Sequence, residues 1–599
     1  MTQAIHDYAL IGDLRCAALV ARDGSIDWFC TPRFDSPACF AALLGEPKHG
    51  QWTLTPVDEV VETRRRYLPD TLVLETEFVT AEGSVRITDL MPLKGDIGIL
   101  RLVEGLAGHV DMESVCQPSF HFGSCPPRLK TGHDGVIAST DDQQVLLRSD
   151  CEIAMQGTSM TSRFRIDTGQ RRQFFLSNLE PDRTPEPMPV AQSVLDDCVA
   201  WWREWASQCT YQGRWRDAVI RSLITLKALT HEPTGGIIAA ATSSLPESPG
   251  GTANWDYRFC WIRDTVLALD VFLDSNYITE AQAWRDWLSQ LMTRTRGEIR
   301  VLYDVAGQDT PPELLLDWLP GYLGSTPVRA SNAASEQHQL DVFGQLMDLL
   351  HSARRSGLET SPDMWARQCE LVDWVIHNWQ KPDEGIWELR GKPRHYTHSR
   401  VYAWVALDRS IRDAEAFGLP APLEQWRQAL ARIHDDVCTQ GIDARRGAFK
   451  QSYEESVPDA SLVMIPLLGF LPVDDERVQA TLKWVREELC DGPLVYRFPA
   501  RQAYDGPEGA FLACSFWIID TLLMEQRPAD AQAHFEHLLQ LRNDVGLLAE
   551  EFHPQHGMLG NFPQALSHLA LIKTAYFMDA CEQAHRGGRP ERFGYKPML

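Results

Sequence analysis

The spacing of apolar residues changes once along this chain, near residue 214. From Tyr8 to about Pro187 apolar positions come in short, alternating runs, such as Thr71 to Thr80, Ser84 to Leu90, Val145 to Ser149 and Arg172 to Leu179, punctuated by Gly, Asp and Pro. A period of two with β-branched and aromatic enrichment predicts antiparallel strands, and the regular turn residues predict a β-sandwich. Asp23-Gly24 between two apolar runs is a hairpin signal. Pro181, Pro185, Pro187 and Pro189 mark a linker, and Val190 to Cys209, with Trp201, Trp202 and Trp205, reads as a connecting helix.

From Arg214 onward the period is that of helices. Twelve are predicted, near 214–231, 261–275, 278–296, 334–356, 362–380, 397–417, 423–438, 459–470, 476–489, 510–525, 528–543 and 563–584. The fourth is typical: Leu340, Phe343, Met347 and Leu350 share one face. Six helical hairpins closed into an (α/α)6 barrel accommodate this pattern, and no repeat of roughly 34 or 40 residues favours an open solenoid. The fold class expected is therefore multidomain β plus α, an N-terminal antiparallel β-sandwich over residues 1–188, a linker helix over 189–212 and an (α/α)6 barrel over 213–599.

Long loops follow alternate helices: Thr234 to Tyr257, Arg300 to Asn332, Lys381 to Tyr396, Gly441 to Pro458, Asp491 to Gly509 and Asp544 to Pro563. If the helices alternate in direction, these loops gather at one end of the barrel and build a pocket. Loops of that length in a compact domain are usually functional.

Composition narrows the chemistry. A net charge of -25 repels phosphates, so nucleic acid is not an expected partner, whereas neutral sugars are indifferent to that field. The 14 cysteines include no Cys-x-x-Cys pair and no neighbouring His set, so free thiols in a reducing compartment are expected, with no metal and no cofactor. Met1 to Asp7 lacks the pattern of a secretory signal, and no apolar run is long enough for a membrane helix. The expectation is a cytoplasmic protein without a membrane partner; a homo-oligomer is left open.

Motifs for phosphate loops, dinucleotide binding, serine nucleophiles and zinc helices are all missing. What remains are carboxylates interleaved with aromatics, the equipment of glycoside hydrolysis. Four segments concentrate them: Asn254 to Asp264, Asp317 to Tyr322, Glu384 to Ser399, and Ala549 to Gln564. By residue chemistry alone, Arg263-Asp264 reads equally well as an ion pair capping its helix, and Glu550-Glu551 as a surface acidic pair.

Trp261-Ile-Arg-Asp264, Gly385-Ile-Trp-Glu388 and Ala549-Glu-Glu-Phe552, in this order on a twelve-helix pattern, resemble glycoside hydrolase family 15, which includes glucoamylases, glucodextranases and a bacterial trehalase group. Tyr8-Ala-Leu-Ile-Gly-Asp13 and Gly24-Ser-Ile-Asp-Trp-Phe29 resemble the trehalase-like N-terminal sandwich of the bacterial members. The resemblance implies an inverting, exo-acting hydrolase that releases β-glucose from a small α-glucoside. It implies Glu388 as general acid and Glu550 as general base, with Glu551 the runner-up. Tyr257, Trp261, Arg263, Asp264 and Trp387 then hold the terminal glucose. Glu388 is expected to be raised towards neutrality by burial against Trp387, and Glu550 to stay ionised.

The pattern departs from the fungal glucoamylases where their acid is flanked by carboxylates; here Gly385 and Leu389 stand beside Ile386 and Glu388. This weakens a starch-like specificity and favours trehalose, with an α-1,4 or α-1,6 oligosaccharide glucosidase as the alternative. A phosphorylase or a non-catalytic sugar-binding barrel comes after these. Arg390, Arg394, His398 and Arg400 are candidates to rebuild the leaving-group side.

Overall fold

In a computed structural model, which describes residues 3–132, 134–180, 185–294, 299–357, 361–499 and 508–585, the N-terminal region is built on one 20-residue strand, Gly98–Gln117. Its first half pairs with Gly83–Leu90 and Arg171–Asn178, and its second half with Gln51–Pro56 and Ser159–Asp167, all antiparallel. One strand thereby serves both sheets of the expected sandwich. The hairpin at Asp23-Gly24 joins Ala17–Ala21 to Ile26–Cys30. The connecting helix is Ala191–Ser207, anchored by the buried Trp202 and Trp205. Pro181 of the expected linker lies outside the described residues, as do 295–296 of the third predicted helix and 500–507 of the fifth long loop.

Each of the twelve predicted helices has a counterpart. Six form an inner ring: Ile262–Asp274, Asp341–Arg355, Thr397–Phe417, Met464–Leu467, Leu512–Met524 and Ala565–His585. Each packs on the next and the last packs on the first, so the ring is closed. The alternating members lie outside it. Sequence explains the division: Leu512–Met524 is apolar nearly all round and buried nearly all round. Leu423–Gln440, an outer helix, buries only Trp426, Ala429, Ile433 and Val437, a single stripe at helical spacing.

Two helices differ from expectation. The fourth begins only at Asp341; the Asn332 side chain caps a short 3-10 turn, Ala333–Glu336, and Gln337 then turns extended. The eighth is a 3-10 turn, Ala460–Val463, followed by Met464–Leu467, because Pro466 and the left-handed Gly469 end it. The first irregularity lies at the end of the barrel where the long loops collect; Pro466 and Gly469 lie at the opposite end, beside Arg409, Arg412 and Met524.

The sandwich braces those same loops. Trp28 Nε1 donates to the carbonyl of Ala241 at 2.8 Å, Arg258 Nη1 to that of Ser36 at 2.6 Å, and Asn543 Nδ2 to that of Tyr8 at 2.8 Å. Arg33 pairs with Asp304 at 3.0 Å. The segment Asp317 to Tyr322, singled out above for its chemistry, belongs to this interface. Trp318 Nε1 donates to the Phe122 carbonyl and the Tyr322 hydroxyl to that of Gln3. All fourteen cysteines are free thiols. Among the described residues no helix is long and apolar enough to cross a membrane.

Candidate active site

The inner helices present their N-terminal ends to the collected loops, so orphan amides and the positive ends of helix dipoles favour carboxylates there. A cavity opens at this end, lined by Tyr257, Arg263, Trp387, Glu388, Trp255 and Arg497 among others. Four of the six long loops contribute to its wall.

Glu388 reaches the cavity from a tight turn in which Gly385 has φ +70° and Glu388 itself φ +56°. A non-glycine residue in the left-handed region costs on the order of 1 kcal/mol and persists only where its surroundings hold it. They do. The Gln337 amide donates to the Glu388 carbonyl at 3.1 Å, and Trp261 Nε1 donates to Oε1 at 2.8 Å. Arg263 Nη1 lies 3.6 Å from Oε1 and also donates to the Ile386 carbonyl at 3.1 Å. Burial raises the Glu388 pKa, against the pull of Arg263 and the Trp261 hydrogen bond.

The neighbour that holds the Glu388 carboxyl is thus Trp261. Trp387 lines the cavity but points its indole N–H at Asp459, 3.0 Å from both carboxylate oxygens, and packs edge-on against Phe511. Asp264, in the first turn of Ile262–Asp274, is buried behind Arg263 at 3.3 Å. Asp264 makes no side-chain cap to the helix start, and Arg263 faces the cavity.

Glu550 is 1% exposed and touches the cavity wall through Tyr257, whose hydroxyl donates to Oε1 at 2.8 Å. The Asn561 backbone N–H donates to Oε2 at 3.3 Å. This environment opposes the ionised state expected of Glu550. Burial and the nearby Glu247 push its carboxyl well up, opposed by Arg497, the Tyr257 hydroxyl and the Asn561 amide. Glu551 turns the other way, fully buried, with neither carboxylate oxygen hydrogen-bonded and Arg497 Nη2 at 3.3 Å.

Arg497 collects three carboxylates, Glu247, Glu508 and Glu551, whose oxygens lie within 4.8 Å of one another. Among the described residues this is the acidic group close enough to hold a metal ion, and the guanidinium already supplies it with a cation. Sequence reasoning missed Glu247, Arg497, Gln337 and Trp255. For Glu247, Arg497 and Trp255 the signal was only their place in long loops, shared with many residues that do not reach the cavity, and Gln337 fell inside the predicted fourth helix, where nothing marked it. Of the four basic residues considered for the leaving-group side, Arg390 lines the cavity; Arg394 pairs with Glu455, Arg400 is buried on Asp383, and His398 lines a second cavity that Arg263 also borders.

The sequence profile described as Glycosyl hydrolases family 15 matches residues 213–576, and the one described as Trehalase-like, N-terminal matches residues 1–179. A trehalase of Thermoplasma volcanium is 34% identical over 584 residues, covering 95% of this chain and 93% of the relative. A trehalase of Mycobacterium tuberculosis is 33% identical, covering 98% and 91%. Among solved structures, a bacterial glucoamylase complexed with acarbose superposes with a TM-score of 0.73 at 12% identity, covering 96% of this chain and 95% of that one.

Proposed function

The chain belongs to glycosyl hydrolases family 15 and is a glycoside hydrolase, and from that premise we propose that it hydrolyses trehalose, with inversion, in the cytoplasm. The observation that carries the catalytic reading is the pairing of two remote carboxylates with two rings of one short segment. Trp261 holds Glu388 and Tyr257 holds Glu550, each at 2.8 Å.

In this reading Glu388 delivers its proton to the glycosidic oxygen while Glu550 takes one from a water attacking the anomeric carbon on the opposite face. The O–C1 bond breaks, a new bond to the water oxygen forms, and β-glucose leaves with free glucose. The competent form carries a proton on Glu388 and none on Glu550. Burial favours the first, and Arg497 with the Tyr257 hydroxyl favours the second. Arg263 and Trp387 contact the terminal glucose, Arg263 through charged hydrogen bonds to hydroxyls.

The preference for trehalose rests on identities of 33–34% with proteins so named, over more than nine-tenths of each chain. The fourteen free thiols support a reducing compartment. Incubation with trehalose, isomaltose, maltose and soluble starch, with the released anomer followed by NMR, tests substrate and stereochemistry together. Trehalose consumed with initial formation of one β- and one α-glucose is expected. Two α-glucoses, or no turnover of trehalose beside turnover of another sugar, would overturn the corresponding half.

A further inference from the structure

We infer that Arg390, packed against Trp255 and pinned by Glu313, forms the subsite for the leaving monosaccharide; this rests on the hydrolase reading above. The acid of a glycosidase faces the oxygen that leaves, so the wall adjoining Glu388 on its open side is the wall that meets the departing sugar. Arg390 stands two residues beyond Glu388 on the same turn and lines the same cavity, with Asn332, Gln337 and Trp255. Arg263 meets the same turn at the Ile386 carbonyl and the Glu388 carboxyl.

The rim is built rigidly. Arg390 makes two hydrogen bonds to Glu313, one of them Nη1 to Oε1 at 2.9 Å. Arg329 Nε donates to the same oxygen at 3.2 Å, and the Ala333 amide to Oε2 at 3.1 Å. Both guanidiniums pack on the Trp255 ring, 4.1 Å from its centroid for Arg390 and 4.3 Å for Arg329. The Trp255 indole N–H in turn donates to Glu247 Oε1 at 3.1 Å. A surface arginine is ordinarily solvated and mobile. Here a planar donor array is fixed in orientation beside the acid, the condition for recognising hydroxyls by direction rather than by charge alone. Leu389 and Arg390 thus give this wall an apolar and a cationic element.

The test compares two substrates that differ only in the group leaving. α-Glucosyl fluoride places a single atom where a disaccharide places a sugar, so it makes no contact with this subsite. For Arg390→Ala and Arg390→Gln, kcat/KM on the disaccharide is expected to fall at least tenfold, mainly through KM, while kcat/KM on the fluoride stays within about twofold of wild type. Parallel losses on both substrates would reduce Arg390 to a structural tie between loops, and no loss on either would remove it from the site; either result overturns the inference. If the wild type cleaves isomaltose or maltose in place of trehalose, the substrate reading fails, and the same ratio measured on that sugar still decides the subsite. A wild type that cleaves the fluoride and no disaccharide overturns both.

Discussion

Tyr257 and Trp261 touch edge to face with ring centroids 5.2 Å apart, and each donates a 2.8 Å hydrogen bond to a different carboxylate, Tyr257 to Glu550 and Trp261 to Glu388. Two side chains one helical repeat apart in sequence therefore set the relative position of two carboxylates from distant loops. The spacing of the proposed acid and base is a local property of this segment. Its outer flank is fixed by Arg258, buried between Asp256 and the Ser36 carbonyl of the sandwich.

Tyr257→Phe keeps the ring contact with Trp261 and removes the donor to Glu550. A hydrogen bond to the ionised form lowers a carboxyl pKa, so its loss moves the Glu550 pKa further up. The acid limb of the kcat/KM profile is expected to shift to higher pH. Activity at neutral pH should drop by about ten- to a hundredfold, the value of one charged hydrogen bond of roughly 1.5–3 kcal/mol. A pH profile recorded over both limbs checks this; a loss without any shift would separate Tyr257 from the base.

Glu388→Gln and Glu550→Gln should each lose on the order of a hundredfold to ten-thousandfold in kcat, the usual contribution of one general acid or base. They differ in rescue. Azide needs no proton removed from it, so added azide should restore turnover of an activated α-glucoside by Glu550→Gln and yield β-glucosyl azide, while leaving Glu388→Gln on an unactivated sugar unrescued. Glu551→Gln and Glu247→Gln are the comparison: azide rescue of either in place of Glu550→Gln would transfer the role of base.

The barrel was legible because twelve segments of helical period follow one another with long loops after alternate members. An all-round apolar helix such as Leu512–Met524 has no stable place but the inner ring. The three motif segments were legible because rare residue types recur in a fixed order. The Arg497 cluster was not, since Glu247, Glu508 and Glu551 come from three loops and no local pattern distinguishes a carboxylate that will meet a buried guanidinium from a solvated one. Asp317 to Tyr322 misled for the converse reason: a Trp and a Tyr in a long loop serve an interface as well as they serve a sugar.

Asp520, on the inner helix Leu512–Met524, faces the second cavity and is buried, which raises its pKa from 3.8 to about 7. The sign follows from linkage: between pH 3.8 and 7 the folded protein keeps a proton that the unfolded chain has released, so stability falls as pH rises through that window. The loss approaches about 1.4 kcal/mol per pH unit as an upper bound. Asp520→Asn removes the titration and retains an acceptor. Its melting temperature should match wild type near pH 4 and exceed it by a few degrees at pH 7 to 8. A difference that is constant with pH would mean that Asp520 is ionised or charge-neutral in both states.

Gly560 follows the hairpin behind Glu550, where a side chain has no room without a shift. Its φ is +72°, and a Cβ there would stand 2.4 Å from Glu550 Oε2 and 2.6 Å from the Glu550 Cβ. Gly557, three residues earlier in the same hairpin, has φ +73°, but a Cβ there meets only His6 Nδ1, at 3.7 Å. The pair separates two costs of a methyl group. Gly557→Ala pays only the backbone strain of roughly 1–2 kcal/mol and should lower the melting temperature slightly with kcat unchanged. Gly560→Ala adds a collision with the carboxylate and must displace Glu550 from Tyr257 and the Asn561 amide. A misplacement of about 1 Å at a reacting group costs on the order of a hundredfold in rate. Gly560→Ala is therefore expected to fold, to melt somewhat lower than Gly557→Ala, and to lose kcat by one to two orders of magnitude. Equal kcat in the two variants would show that the position of Glu550 does not govern turnover, and the assignment of the base would fall with it.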